Sequence, residues 1–185
     1  MTLDDLLRLA YSAERAAAYA YQGHAASLRD AGEQARIRSI EEEEWDHRAH
    51  LARMHARRGL VPARYLECKY ACIGRTISLS CHVIGHFMPM DFAGRLESGD
   101  VNEYLAMADL VLGTDLADER DCILAMARVE KEHERYFLSR IAVHRWLAFF
   151  PRVFAWGPQR SFNALPWDED GKGEPVAAEG ATRKV

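Results

Sequence analysis

Two short motifs constrain the fold of this chain more than any other feature. Glu44-Trp45-Asp46-His47 and Glu130-Lys131-Glu132-His133 each place a glutamate three residues before a histidine. Within a helix this spacing puts both side chains on one face, about one turn apart. Two such pairs on separate helices, with one lone glutamate from each of two others, form the dinuclear carboxylate site of a helical bundle. The motifs therefore predict an all-α bundle built around metal ligands.

The candidates for the lone glutamates are Glu14 and Glu97. Glu14 lies among alanines, whose small side chains let helices approach closely. An equally good interpretation places Glu14 at the border of its helix face, paired with an arginine. Glu103 is the rival of Glu97, and the two lie on different sides of their helix, so both cannot point inward.

Apolar residues at helical spacing predict four bundle helices, over about residues 3–28, 33–58 and 90–112, and from 116 into the 140s. Thr2 and Asp5 resemble a capping box before the first helix. Gly59 is expected to end the second helix, and Gly113-Thr114-Asp115 to separate the last two. These four helices would form a four-helix bundle.

The segment from about Tyr65 to Met90 differs from the rest, because apolar residues cover most of the circumference of any helix formed there. One interpretation is a fully buried connecting helix. The other is a segment that dips into a bilayer interface or opens an apolar substrate channel. The sequence leaves both open.

A second unusual segment runs from His144 to Trp156, where aromatic residues are interleaved with Arg145 and Arg152. This composition suits the headgroup region of a membrane, although the segment could instead pack across the end of the bundle. Two such segments favour peripheral membrane association. Residues 1–160 are expected to form the bundle with its interfacial segments, and the polar residues 161–185 a flexible tail.

Composition excludes several classes of protein. The 185 residues fit one domain, and 28 acidic against 24 basic residues give no sign of nucleic-acid binding. No basic-then-apolar leader begins the chain, and no apolar run is long enough to span a membrane. The cysteines form no CxxC pair and are expected to be small buried residues. We therefore expect an intracellular protein on the cytoplasmic face of a membrane.

Several neighbours of the motifs are open to more than one interpretation. Three of the four glutamates in the run 41–44 are expected to be solvated, with Glu41 able to support the ligands from the same face. His50 competes with His47 as a ligand but lacks the spacing to Glu44. Tyr21 and Tyr104 could contact the ligands, although tyrosines at helical spacing more often belong to the core.

The ligand set indicates which metal it would hold. Four glutamates balance the charge of two divalent cations, and neutral histidines add none. Oxygen and imidazole donors without thiolates suit iron, or manganese, and argue against structural zinc. We assign Glu44 and Glu130 as bridging ligands, Glu14 and Glu97 as terminal ligands, and His47 and His133 as one donor per ion.

The order Glu14, Glu44-x-x-His47, Glu97, Glu130-x-x-His133 resembles the demethoxyubiquinone hydroxylase family of ferritin-like di-iron monooxygenases. Tyr21-x-Gly23 and the apolar segment before the third bundle helix are also similar to that family. The resemblance covers about residues 5–155. It implies a membrane-bound enzyme that hydroxylates a polyprenyl quinone precursor with dioxygen, its irons being reduced by NADH or a related donor such as an electron-transfer protein. Leu96-Glu97-Ser98 departs from the family's paired glutamates.

Other functions fit the same ligands. A rubrerythrin-like peroxidase is one, although the cysteine-rich module common in rubrerythrins is absent, and a tRNA-modifying di-iron hydroxylase would need a basic surface. An iron-storage or membrane-binding bundle without turnover is another. A homo-oligomer or a partner protein of lipid biosynthesis is also compatible with the sequence.

Overall fold

The computed structural model describes residues 1–148, which contain five α-helices and no β-strand. The helices are α1 (Leu3–Ser27), α2 (Ala31–Arg57), α3 (Arg64–Ser80), α4 (Phe87–Leu110) and α5 (Arg120–Ile141). Short 3-10 turns cover Ala117–Glu119 and Arg145–Ala148. The prediction of an all-α bundle is confirmed. The predicted tail and residues 149–156 of the aromatic segment lie outside the described residues.

The helix ends follow local capping chemistry. Thr2 accepts a hydrogen bond from the backbone of Asp5, and Asp5 accepts one from the backbone of Thr2, so the predicted capping box is present. α2 begins two residues earlier than predicted, because the side chain of Asp30 accepts a bond from Glu33 N at 2.8 Å. α5 begins later than predicted, because Ala117–Glu119 form a 3-10 turn first.

Four helices surround the centre of the bundle, and α3 lies outside it. α1 packs against α2, α3 and α4, and α4 packs against α5. Tyr21 contacts Glu97 and Tyr104 contacts Glu14, so α1 and α4 are antiparallel. α3 runs parallel to α1 and returns the chain to the end where α2 began, so α2 and α4 point the same way. One long crossover of this kind is characteristic of ferritin-like bundles.

The apolar core is divided into two clusters along the bundle axis. Leu6, Leu51 and Met107 belong to the cluster near the start of α1. Ile37 and Phe137 belong to the other, near the end of α1. The glutamates and histidines of the two sequence motifs lie between these clusters, so the polar centre of the bundle is closed off by hydrocarbon above and below.

The connecting helix α3 is not fully buried, which corrects one of the two interpretations of residues 65–90. Ala71 and Gly74 face α1, whereas Tyr65 and Leu79 are exposed. The apolar segment is also not one helix, because a turn over residues 81–86 separates α3 from α4. Within residues 1–148, no helix is both long enough and apolar enough to cross a bilayer.

Glycines allow α3 to lie unusually close to α1. A Cβ added to Gly74 would stand 2.4 Å from the backbone oxygen of Ala16, and one added to Gly23 would stand 2.2 Å from the Ser78 hydroxyl. Such distances are far inside van der Waals contact. Only glycine therefore fits at these two positions without moving a helix.

We expect Gly74→Ala to destabilise the protein by about 1–3 kcal/mol, because the added methyl group overpacks the α1–α3 contact and the opposing atoms belong to the backbone. The free energy of unfolding in urea measures this. Gly32→Ala is the matched control, since a Cβ there meets only the flexible side chain of Asp30 at 3.2 Å. Equal stability of the two variants would contradict the close contact.

Candidate metal site

All six ligands predicted from the sequence meet in the centre of the bundle. They form two groups whose ligand atoms lie within 4.8 Å of one another, and each side chain is buried. Glu44 and Glu130 belong to both groups. The first group adds Glu14 and His47, and the second adds Glu97 and His133.

Both histidines direct Nδ1 toward the shared carboxylates. His47 Nδ1 lies 2.7 Å from Glu130 Oε1. His133 Nδ1 lies 3.2 Å from Glu130 Oε2, 3.3 Å from Glu44 Oε1 and 3.7 Å from Glu97 Oε2. Glu130 therefore offers one oxygen to each histidine, which is the geometry expected of a carboxylate that bridges two ions.

The unpaired polar atoms of the cluster show that these residues fit a metal. Glu44 Oε1, His47 Nδ1, Glu97 Oε2 and Glu130 Oε1 are all buried, and none makes a well-aligned hydrogen bond, although His47 Nδ1 lies 2.7 Å from Glu130 Oε1. A buried polar atom without a partner is costly and rare. Divalent cations placed among these atoms would satisfy all four, and the donors are oxygen and imidazole nitrogen only. The described chain thus contains a buried site that could hold metal ions.

Burial and the repulsion between neighbouring carboxylates raise the pKa of three of the four glutamates in the cluster. Burial, together with the charge of Glu44, raises the pKa of Glu14 well above its ordinary value. Burial and the charges of Glu130 and Glu97 raise the pKa of Glu44 to about 8. Burial and Glu97 likewise raise the pKa of Glu130. Burial also acts on Glu97, but hydrogen bonds with His133 and Glu130 outweigh it and lower its pKa.

The two histidines are shifted in opposite directions. Burial and the neighbouring His133 lower the pKa of His47 to about 4, so His47 is a neutral donor at neutral pH. Burial disfavours the charge of His133 as well, but hydrogen bonds to Glu130, Glu43 and Glu44 outweigh it and raise its pKa. The neighbouring carboxylates therefore favour the protonated form of His133, whereas burial favours the neutral form of His47.

Glu43 is a residue of the site that sequence reasoning missed. The sequence predicts a solvated glutamate here, yet Glu43 Oε2 contacts His133 Nε2, on the ring edge opposite Nδ1. Arg36 also contacts Glu43. Partial burial would raise the pKa of Glu43, but the bonds to His133 and Arg36 outweigh it and lower that pKa to about 2. A carboxylate at this position fixes the orientation of a metal-binding histidine. The sequence signal that could have identified Glu43 is its position directly before the predicted ligand Glu44.

The two tyrosines take part in the site instead of only filling the core. The Tyr21 hydroxyl donates to Glu97, and the Tyr104 hydroxyl donates to Glu14. Each tyrosine stands seven residues after the glutamate on its own helix and contacts the glutamate on the other helix. The α1–α2 and α4–α5 halves are thus related by an approximate twofold arrangement.

Three rival residues stay out of the two groups. Glu103 is half-buried and belongs to neither, so Glu97 is the glutamate that α4 contributes. His50 Nδ1 lies 3.2 Å from Cys122 Sγ instead. Glu41 accepts hydrogen bonds from Gln22 and Trp45, away from the cluster, so the proposed support from Glu41 is wrong.

The arginine pairing considered for Glu14 is wrong as well, because Glu14 is buried and bonded to Tyr104. The expectation of buried cysteines is only partly correct. Cys81 is buried, whereas Cys122 is half-buried and both Cys68 and Cys72 are exposed on α3.

No protein-family model, curated protein or solved structure matches the chain. The class is therefore defined by fold and site alone. The described chain is an all-α helical bundle with two buried clusters of glutamate and histidine, consistent with a ferritin-like dinuclear metal site.

Replacing Glu43 by glutamine should weaken metal binding about 10–100-fold, because His133 loses the carboxylate that orients its ring. Titration of the apoprotein with a divalent cation measures the change. Glu42→Gln is the matched control, since Glu42 is the exposed neighbour on the same helix. Equal losses in the two variants would show that only overall charge matters.

The stability of the metal-free protein should fall as the pH rises from about 4.5 to about 8. Glu44 has a folded pKa of about 8 against an ordinary value of 4.5, so in this range the folded state binds more protons than the unfolded state. Urea denaturation at several pH values tests this. Glu44→Gln should flatten the profile, and a profile that rises in the wild type would contradict the clustering of carboxylates.

Proposed function

We propose that the protein is a di-iron, dioxygen-dependent hydroxylase that acts on a lipophilic aromatic substrate, such as a demethoxyubiquinone-type polyprenyl quinone, at a membrane. The observation that carries the proposal is the pair of buried ligand groups that share Glu44 and Glu130. Two groups with common carboxylates are what neighbouring ions require, whereas a single ion would need only one group.

The ligand set suits iron or manganese, and we propose iron. Glu14, Glu44, Glu97 and Glu130 provide four negative charges when ionised, which balance two ferrous ions. His47 provides a neutral imidazole, as does His133 once its Nδ1 proton is released. Two ferrous ions bound here would supply the two electrons that begin reduction of dioxygen; manganese is the other metal that suits these donors.

The protein residues around the ions hold and shield them. Tyr21 and Tyr104 donate hydrogen bonds to Glu97 and Glu14, which fixes the orientation of both terminal carboxylates. Glu43 fixes the orientation of the His133 ring by its contact with Nε2, on the edge opposite Nδ1. The apolar clusters on both sides shield the ligand cluster from water, which protects a reactive site from side reactions.

The reaction class follows from this arrangement and from the resemblance to the demethoxyubiquinone hydroxylases. One oxygen atom of dioxygen enters a ring C–H bond to give C–OH. The other atom leaves as water after accepting two electrons and two protons from an external reductant, such as NADH or an electron-transfer protein. The exposed apolar residues of α3 support a membrane location, where such a substrate resides.

The proposal is tested by anaerobic ferrous loading, iron analysis and turnover of a demethoxyquinone with dioxygen and reductant. We expect two iron atoms per chain and a hydroxylated product. Glu130→Gln should lower both iron content and turnover to background, because it removes the bridging carboxylate. Glu132→Gln, exposed on the same helix, should change neither.

Each alternative gives a different result in the same experiment. Bound iron without turnover of any quinol would reject the substrate. Faster reduction of hydrogen peroxide than of dioxygen would indicate a peroxidase. Loading with many iron atoms in a cage assembly would indicate storage. Failure of the wild type to bind iron at all would reject the site itself.

A further inference from the structure

The crossover helix α3 contains a single acidic residue, Glu67, whose carboxylate is turned toward the bundle. It accepts hydrogen bonds from Ser12 Oγ at 2.8 Å and from Arg15 Nη1 at 3.0 Å. Arg48 donates to it twice, through Nη2 at 2.6 Å and through Nη1 at 3.2 Å. Ser12 and Arg15 belong to α1, and Arg48 belongs to α2. One carboxylate of the crossover helix therefore binds two bundle helices at once.

The three donors to this carboxylate are sequence neighbours of two metal ligands. Ser12 and Arg15 lie on either side of Glu14, and Arg48 directly follows His47. Glu14 and His47 are the two residues that belong to the first ligand group alone. The carboxylate on α3 thus holds the chain next to both of them.

Arg48 makes the most directional of these connections. Its guanidinium group donates through two nitrogens to the two oxygens of Glu67, and such a two-point contact fixes orientation as well as distance. Nη1 also donates to the backbone oxygen of Tyr11, and the guanidinium carbon lies 3.6 Å from the centre of the Tyr11 ring. Tyr11 is three residues before Glu14 on α1. Arg48 and Glu67 therefore connect α2 to α1 directly behind the first ligand group.

The contact depends on the charge of Glu67. Burial would raise the pKa of Glu67, but the hydrogen bonds from Arg48 and Ser12 outweigh it and lower that pKa, so the group is ionised at neutral pH. Only 13% of the Arg48 side chain and 17% of the Glu67 side chain are exposed, so salt screens their attraction weakly. Removing the carboxylate would leave a largely buried guanidinium group without its anion, which is costly. We expect Arg48, and α2 beside it, to shift in response.

We infer that Glu67 is a positioning residue of the metal site, which fixes the spacing between Glu14 and His47 from outside the bundle. The inference rests on the metal site of the proposed function and adds a residue to it. An ion requires its donors at fixed distances, so a shift of α2 against α1 weakens the ion that both helices hold. The second ligand group takes Glu97 and His133 from the α4–α5 half, so its ion should be affected less.

The α4–α5 half is built differently at the equivalent position. The residue after His133 is Glu134, whereas the residue after His47 is Arg48. Glu134 is buried and contacts Lys131 of its own helix. An ionised glutamate only accepts hydrogen bonds, so it cannot bind a further carboxylate as an arginine does. The effect of Glu67 should therefore be confined to one of the two ions.

Calorimetric titration of the metal-free, full-length protein with Mn²⁺ tests the inference, because Mn²⁺ suits the same donors as iron. We expect two binding steps in the wild type. Glu67→Gln should weaken one step about tenfold, as is typical of residues that orient metal ligands, and should change the other little. His47→Ala and His133→Ala each remove a donor from one group and so identify the steps. The step weakened in Glu67→Gln should be the one weakened in His47→Ala.

Glu33→Gln is the matched control. Glu33 is also a buried glutamate that binds an arginine, since its Oε1 lies 2.7 Å from Arg140 Nε, but it belongs to neither ligand group. Each variant removes one negative charge and one arginine contact, so both should lower the free energy of unfolding in urea. Only Glu67→Gln should weaken a step of Mn²⁺ binding. Equal losses of Mn²⁺ affinity in the two variants would overturn the inference, because stability or net charge would then explain both.

A double variant tests whether Glu67 acts through Arg48. Residues that act through one contact are not additive, so Glu67→Gln with Arg48→Gln should bind Mn²⁺ no more weakly than Arg48→Gln alone. Glu67→Asp keeps the charge on a shorter side chain and should restore part of the affinity lost in Glu67→Gln. Additive losses in the double variant would overturn the inference, because the two residues would then act separately.

The same titrations separate this inference from the proposed function. A wild type that binds Mn²⁺ while Glu67→Gln binds it equally well would overturn the role of Glu67 and leave the metal site standing. Selective weakening in Glu67→Gln, with no turnover of any quinol by the iron-loaded wild type, would overturn the hydroxylase and leave the role of Glu67. Failure of the wild type to bind either Mn²⁺ or iron would overturn both.

Discussion

The structure depends on the burial of charge. Six ionisable side chains are brought into the centre of a small bundle, each at most 5% exposed. Burial of unpaired carboxylates costs free energy, so a sequence that places four of them at one point must provide compensation. The tyrosines and Glu43 provide part of it through hydrogen bonds, and the unpaired ligand atoms indicate that cations provide the remainder.

The fold around this centre is arranged to keep water out. Two apolar clusters close the polar layer along the bundle axis, and α3 covers α1 from outside. The closeness of α3 depends on Gly23 and Gly74, at which no side chain fits. The crossover helix is thus fixed by backbone contact on one face, while its other face is exposed.

The helices and the ligands could be predicted from the sequence because both follow local rules. A spacing of three residues places Glu44 beside His47 in any helix, and Glu130 beside His133 in the same way. The contacts across the bundle could not be predicted. Glu43 looked like one of several surface glutamates until the packing of α2 on α5 placed it against His133. The inward turn of Glu67 likewise depends on Arg48, which belongs to another helix.

The approximate twofold arrangement of the bundle is broken at one point. Glu43 precedes Glu44 and supports His133, but the residue that precedes Glu130 is Val129, whose side chain is apolar and cannot support a ring in that way. The imidazole of His133 is thus made more basic than that of His47. The two halves of the centre are chemically unequal: the neutral imidazole of His47 is open to an ion at neutral pH, whereas an ion beside His133 would have to displace a proton.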